Sequence, residues 1–180
     1  MERAPNLRVL ISREQIAARV AELAKDIEQG FAGEAITLVT VLQGAATFAR
    51  DLGRYLRPEP LQDSIGVSSY GSETKTNRHP RLVQDLAHPI AGKNVLIVED
   101  ILDSGFTLNF LTELLRARDP KSLRVVTLLD KPSRRVLPFT ADYVGFVIED
   151  LFVVGYGLDF NQQYRELPDI CVLSPANTSF

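Results

Sequence analysis

Residues 95–107 read Val-Leu-Ile-Val-Glu-Asp-Ile-Leu-Asp-Ser-Gly-Phe-Thr and concentrate three carboxylates, two hydroxyls and a glycine. If Asp103–Thr107 wraps the start of a helix, its free N–H groups and the Ser104 and Thr107 hydroxyls converge on one small volume. Gly105 permits close backbone approach there, and the volume suits a phosphate monoester. Glu99 and Asp100, just before it, would repel a phosphate unless they met hydroxyls or a bound cation. A sugar phosphate meets both demands. Its ribose diol can donate to Glu99 and Asp100, its 5′-phosphate can sit on Ser104, Gly105, Phe106 and Thr107, and a divalent cation can neutralise further charge. Asp103 lies between the two and is placed to exchange a proton with a neighbouring base. The string has neither the Gly-Lys-Ser/Thr ending of a triphosphate loop nor the three-glycine dinucleotide fingerprint. The plainer alternative stands beside this reading: Glu99 and Asp100 end a strand, and Asp103 or Ser104 caps a helix.

Such a turn needs a strand before it and a helix after it. The run 95–98 is too short for a helix and lacks polar alternation, so it reads as a parallel strand covered on both faces. Leu108, Leu111 and Leu115 then carry a helix as far as Asp119-Pro120. Upstream, Ser12 and Gln15 form a capping-box signal ahead of Ile16, Val20, Leu23 and Ile27, and Gly30 stops that helix. Residues 35–42 read as a strand, Gly44 as a tight turn, and Phe48, Leu52 and Tyr55 as a second helix before Pro58. Further strands are expected over 61–70, 122–129, 143–147, 152–154 and 170–173, with 81–86 as a hairpin arm and 71–80 as a long charged loop. Strands alternating with helices predict an α/β fold, a mostly parallel central sheet flanked by helices, whose strand carboxyl ends share one crevice.

The 180 residues fit one domain, 1–180, and 45% hydrophobic content fills a sizeable core. Twenty Lys and Arg against 23 Asp and Glu leave a formal charge of −3, without the basic excess of a bulk nucleic-acid binder. The lone cysteine, Cys171, suits a reducing cytoplasm and is expected in the core. No run is long enough to span a bilayer, and the amino terminus lacks the apolar stretch of a signal peptide. His79 and His88 each neighbour a proline in polar stretches and read as surface loop.

The thirteen-residue string closely resembles the phosphoribosyl-diphosphate motif of type I phosphoribosyltransferases, most like the hypoxanthine-guanine members. The likeness extends to Val41-Leu42-Gln43-Gly44, Ser68-Ser69-Tyr70-Gly71, Leu128-Leu129-Asp130-Lys131-Pro132-Ser133-Arg134-Arg135, Asp142-Tyr143-Val144-Gly145-Phe146 and Phe152-Val153-Val154-Gly155-Tyr156-Gly157-Leu158-Asp159, in order. The resemblance implies that family's fold, with a small hood contributed by the terminal segments and a mobile active-site loop over about 69–81.

It also implies roles. Lys131 matches the lysine that donates to the purine's exocyclic oxygen, Phe152 the aromatic that stacks on the ring, and Val153 the backbone that reads its edge. Asp159 matches an aspartate associated with magnesium at the purine end, so Glu99, Asp100 and Asp159 form the expected Mg²⁺ set. Arg165 matches a pyrophosphate contact, Gln43 and Gly44 the turn below it, and Ser69 and Tyr70 the start of the closing loop. Two departures stand out. Gln43 replaces a frequent lysine, leaving backbone N–H as the pyrophosphate donor there, and residues 76–80 lack the usual Ser/Gly-rich continuation.

The implied reaction is purine salvage: transfer of 5-phosphoribosyl from phosphoribosyl diphosphate to hypoxanthine or guanine, with Asp103 accepting the purine proton. Small-molecule substrates and a homo-oligomer, dimer or tetramer, are expected, with no membrane or nucleic-acid partner. The alternatives are a xanthine-preferring transferase and a nucleotide-sensing RNA-binding regulator on the same fold.

Overall fold

A computed structural model describes residues 6–70 and 79–174. The chain runs β1 (Asn6–Ile11), α1 (Arg13–Gly30), β2 (Ile36–Leu42), α2 (Ala46–Tyr55), β3 (Leu61–Tyr70), β4 (His79–Gln84), β5 (Asn94–Leu102), α3 (Phe106–Arg116), β6 (Ser122–Asp130), β7 (Tyr143–Val147), β8 (Val153–Val154) and β9 (Ile170–Ser174). Residues 71–78 of the expected mobile loop lie outside the described residues, as do the side chains of Ser69 and Tyr70.

The capping box forms as expected: the Ser12 hydroxyl accepts from the Gln15 N–H at 3.3 Å, and the Gln15 side chain accepts from the Ser12 N–H at 2.9 Å. Ile16, Val20, Leu23 and Ile27 are then buried along one face of α1, because the 3.6-residue period stacks them. The main sheet has the order β4-β3-β2-β5-β6-β7; its pairs are parallel except β3–β4. Leu38, Leu96, Val98, Val126 and Leu128 face α1 and α2, while Val39, Val41, Val95, Ile97 and Val125 face Leu108, Leu111 and Leu115 of α3. The two-residue period of the strands thus fills two cores, one on each side of the sheet.

Several boundaries differ from the sequence reading. The hairpin arm expected over 81–86 is β4 at His79–Gln84, so His79 and Pro80, read as loop, are strand residues paired with Tyr70 and Ser69 of β3. The strand expected to end at Val98 continues to Leu102, because Glu99, Ile101 and Leu102 keep pairing with Thr127, Leu129 and Asp130 of β6. Glu99 and Asp100 are therefore strand residues, and the turn is only Asp103–Gly105. Phe152 lies just outside β8, although its carbonyl accepts from the Leu173 N–H at 2.9 Å. β1 was not foreseen. Leu7 and Val9 are exposed, so no buried face marks the segment, and its order comes from antiparallel pairing with β9 at the far end of the chain. With β8 these strands make a separate three-stranded antiparallel sheet.

Candidate active site

The strand order fixes where the chemistry sits. From β2 the chain builds outward to β3 on one side, and from β5 it builds to β6 and β7 on the other. The helices leaving β2 and β5 go to opposite faces. Between the ends of β2 and β5 the two connections diverge and leave a crevice. A cleft of about 720 Å³ opens there, walled by Gln43 and Gly44 after β2, Asp100, Ile101 and Asp103 at the end of β5, Lys131 and Arg134 after β6, and the segment from Asp150 to Arg165.

Gly44 and Asp100 meet across this switch point. A Cβ built on Gly44 would fall 1.7 Å from Asp100 Oδ2, so the carboxylate occupies the space a side chain would need. Asp100 also accepts from the Ile101 N–H at 2.7 Å. Burial raises its carboxyl above the ordinary carboxylate range, against the lowering effects of its hydrogen bonds. Glu99 does not line the cleft and is 6% exposed, its carboxyl lying against that of Asp100. Burial and the neighbouring Asp100 charge push its carboxyl well up, although the Asp100 N–H donates to it at 3.1 Å.

The turn after β5 is held from behind. Gly105 has φ of 89°, and a Cβ there would fall 2.7 Å from the Leu137 carbonyl. The Ser104 carbonyl accepts from the Val136 and Leu137 N–H groups at 3.0 and 2.9 Å. Arg135 donates to the carbonyls of Leu102 and Asp103 and pairs with Asp130, so one guanidinium joins the ends of β5 and β6. No side chain caps α3, which leaves the amide dipoles of its first turn directed at an incoming anion. Sequence reasoning missed Arg135. The signal was present in the Lys-Pro-Ser-Arg-Arg string, but nothing in its spacing said which arginine turns inward.

Lys131 is 9% exposed, and its Nζ donates to the Leu151 carbonyl at 2.7 Å. That contact aims the ammonium along the wall and leaves two donors for a ligand. Burial lowers its pKa, and the nearby Asp150 and Asp103 charges oppose that. Phe152 is 53% exposed beside it, in a T-shaped pair with Phe160 at 5.6 Å and 87°. At the other end Arg165 pairs with Asp159 at 2.8 Å and donates to the Gly157 carbonyl at 2.6 Å. Gly157, at φ of 96°, packs so closely that a Cβ would lie 2.6 Å from the Gly44 carbonyl.

The phosphoribosyl transferase domain family matches residues 11–161. The chain belongs to this family. It is 44% identical over 169 residues to the hypoxanthine-guanine phosphoribosyltransferase of Bacillus subtilis, covering 94% of each chain. It is 47% identical to the hypoxanthine phosphoribosyltransferase of Salmonella typhimurium, covering 89% of this chain and 91% of that one. A crystal structure of a Bacillus anthracis hypoxanthine-guanine phosphoribosyltransferase with HEPES in its active site superposes with a TM-score of 0.89 at 47% identity. That match covers 93% of this chain and 98% of the other.

In this phosphoribosyltransferase the cleft unites Gln43, Gly44, Asp100, Asp103, Lys131, Phe152, Val153, Asp159 and Arg165. It does not include Glu99, whose carboxylate is buried within the sheet, or Ser104, Gly105, Phe106 and Thr107, which follow Asp103 at the start of α3. Leu151, Asp150 and Arg134 join the wall without having been foreseen. Among the described residues no three His, Cys, Asp or Glu side chains close around one point, so Glu99, Asp100 and Asp159 do not form a ready metal cage. The donor chemistry still suits magnesium. The wall carries Asp100, Asp103, Asp150 and Asp159 against Lys131, Arg134 and Arg165, four anions to three cations. Two of those cations are already paired, Arg134 with Asp150 and Arg165 with Asp159. A phosphate-bearing ligand in so acidic a cleft needs a hard cation that takes most of its ligands from water and substrate.

Proposed function

We propose that this transferase salvages purines, moving the 5-phosphoribosyl group of phosphoribosyl diphosphate onto a ring nitrogen of hypoxanthine or guanine to give IMP or GMP and pyrophosphate. One observation carries the reading: a single cleft joins a proton acceptor, Asp103, to a purine platform of Lys131 and Phe152 at one end and to Gly44 and Arg165 at the other. The names borne by relatives at 44% and 47% identity support it.

The purine lies on the ring of Phe152, with the Lys131 ammonium donating to its 6-oxygen. A donor there favours a 6-oxopurine over adenine, whose 6-amino group is itself a donor. The Val153 backbone reads the ring edge. Asp100 holds the ribose hydroxyls, and the start of α3 at Ser104–Thr107 holds the 5′-phosphate. As the ring nitrogen bonds to the anomeric carbon, the bond to pyrophosphate breaks and Asp103 takes the nitrogen's proton. Arg165 and the backbone N–H groups at Gln43 and Gly44 hold the growing charge on the leaving group. Asp100 and Asp159 would hold Mg²⁺, which would supply neutralisation of the diphosphate charge. Ser69 and Tyr70 begin the loop that covers the reaction.

The protein works in the cytoplasm, which suits the buried, unpaired thiol of Cys171. It assembles as a dimer or tetramer, to be measured by sedimentation. The deciding assay incubates it with magnesium, phosphoribosyl diphosphate and hypoxanthine, guanine, xanthine or adenine separately. Nucleotide from hypoxanthine or guanine is expected. A preference for xanthine would move the assignment within the family, and no product with any base would overturn it.

A further inference from the structure

Tyr156 takes no part in the chemistry above, yet its setting is constrained from every side. It is 8% exposed and stands between Gly155 and Gly157, three consecutive residues with φ of 94°, 52° and 96°. A tyrosine held at positive φ, where L side chains are disfavoured, must be fixed by its surroundings. Its N–H donates to the Leu167 carbonyl at 2.7 Å, and its hydroxyl donates to Asp51 Oδ2 on α2 at 2.8 Å.

The Tyr156–Asp51 bond crosses the seam between two walls of the active-site cleft. On one side, α2 grows directly out of the turn that carries Gln43 and Gly44. On the other, Gly157 follows Tyr156, its carbonyl receives Arg165 Nη1, its N–H donates to the Arg165 carbonyl at 3.0 Å, and Asp159 pairs with the same guanidinium. The walls touch where Gly157 meets the Gly44 carbonyl and Thr47. A glycine against a carbonyl has no side chain to set register along the seam. A directed hydrogen bond between Tyr156 and Asp51 sets it, and Asp51 is itself gripped by Arg50 and Arg54 at 3.2 and 3.4 Å.

We propose that Tyr156, through its hydroxyl bond to Asp51, is a positioning residue for the pyrophosphate end of the cleft. It keeps Arg165 and the 155–159 turn in register with the Gln43–Gly44 turn, so that both walls meet the same anion. The proposal rests on the transferase reading above and adds residues outside the substrate-contacting set. The purine end takes Lys131 from the end of β6 and Phe152 from just before β8, and neither side chain bonds Tyr156 or Asp51, although Phe160, just beyond the 155–159 turn, packs on Phe152.

Y156F retains the ring and removes only the hydroxyl, whereas D51N removes the acceptor's charge and leaves a weaker, neutral amide oxygen. Binding of inorganic pyrophosphate in the presence of magnesium is measured by calorimetry, alongside steady-state KM for phosphoribosyl diphosphate and for hypoxanthine. Losing one hydrogen bond to a charged group is expected to weaken pyrophosphate binding and raise KM for phosphoribosyl diphosphate roughly tenfold. KM for hypoxanthine should stay within about twofold, and the double variant should be no worse than Y156F alone, since the two residues act through one bond. Pyrophosphate binding equal to that of the unsubstituted protein, or equal rises in both KM values, would overturn the role. If Y156F does not fold, D51N is read by the same criteria. An unsubstituted protein without transferase activity would refute the transferase reading instead, and the calorimetric comparison would still decide Tyr156.

Discussion

The carboxylates that make up this site differ in their surroundings more than in their chemistry. Asp103 lines the cleft on a turn whose carbonyls are held by Arg135, Val136 and Leu137, and its own carboxylate accepts from the Ser104 N–H, a bond an asparagine oxygen could keep. D103N should therefore keep the turn's shape and lose the proton acceptor. Turnover is expected to fall by roughly 10²–10⁴, the usual range for a general base, while KM for phosphoribosyl diphosphate changes little. Near-normal turnover would remove Asp103 from that role. Lys131 differs in being already bonded to Leu151, which fixes its direction before any purine arrives. K131A should raise KM for hypoxanthine by roughly 10–100-fold, as expected for losing a charge-assisted bond, with much less effect on KM for phosphoribosyl diphosphate. Equal losses in the two constants would mark the lysine as structural.

At the scale of elements, the site depends on where strands end and helices begin. The turn between β2 and α2 can approach β5 because Gly44 has no Cβ, and Asp100 fills the gap. In G44A the new methyl and the Asp100 carboxylate would compete for one volume. Overpacking of this kind costs roughly 1–3 kcal/mol, so a lower thermal midpoint and a higher KM for phosphoribosyl diphosphate are expected together. Unchanged values of both would mean that the turn can move aside freely. The start of α1 offers the contrast. S12A breaks a capping box whose residues do not line the cleft and should cost about 1 kcal/mol in denaturant unfolding, with kcat and both KM values unaltered. Much of this level was legible in the sequence. The capping box, the helical spacing of α1 and the apolar strand runs are local patterns, and the structure carries each of them. β1 and the extension of β5 to Leu102 were not legible, because backbone pairing with β9 and β6 creates them.

Across the whole molecule, burial of Glu99 links the site to stability. Its folded carboxyl is held well above the ordinary range by burial and by Asp100. The favourable contribution of the protonated form is thus fully present below the unfolded value of about 4.3 and is lost as pH rises through the raised folded value. E99Q cannot ionise. Relative to the unsubstituted protein it should gain stability progressively as pH rises from about 4.3 toward neutrality, with the two closest at acid pH. Denaturant unfolding from pH 4 to pH 8 tests this, and parallel stability curves would contradict it. Asp100 near the end of the strand lines the cleft, while Glu99 one residue earlier is buried beside it with the two carboxyls in contact.

The sequence by itself determined the α/β alternation, a turn beginning at Asp103 ahead of a helix, and the family resemblance that pointed to Lys131, Phe152, Asp159 and Arg165. These rest on residue type and short spacing, which survive without knowledge of the fold. Tertiary structure alone decided that Glu99 is buried behind the cleft lining against Asp100, that Lys131 is aimed by Leu151, that Arg135 joins the ends of two strands, and that Tyr156 bonds Asp51 across the seam. Each depends on distances between segments far apart in the chain. Such distances follow from strand order and from how the layers pack, and no periodicity within one segment encodes them.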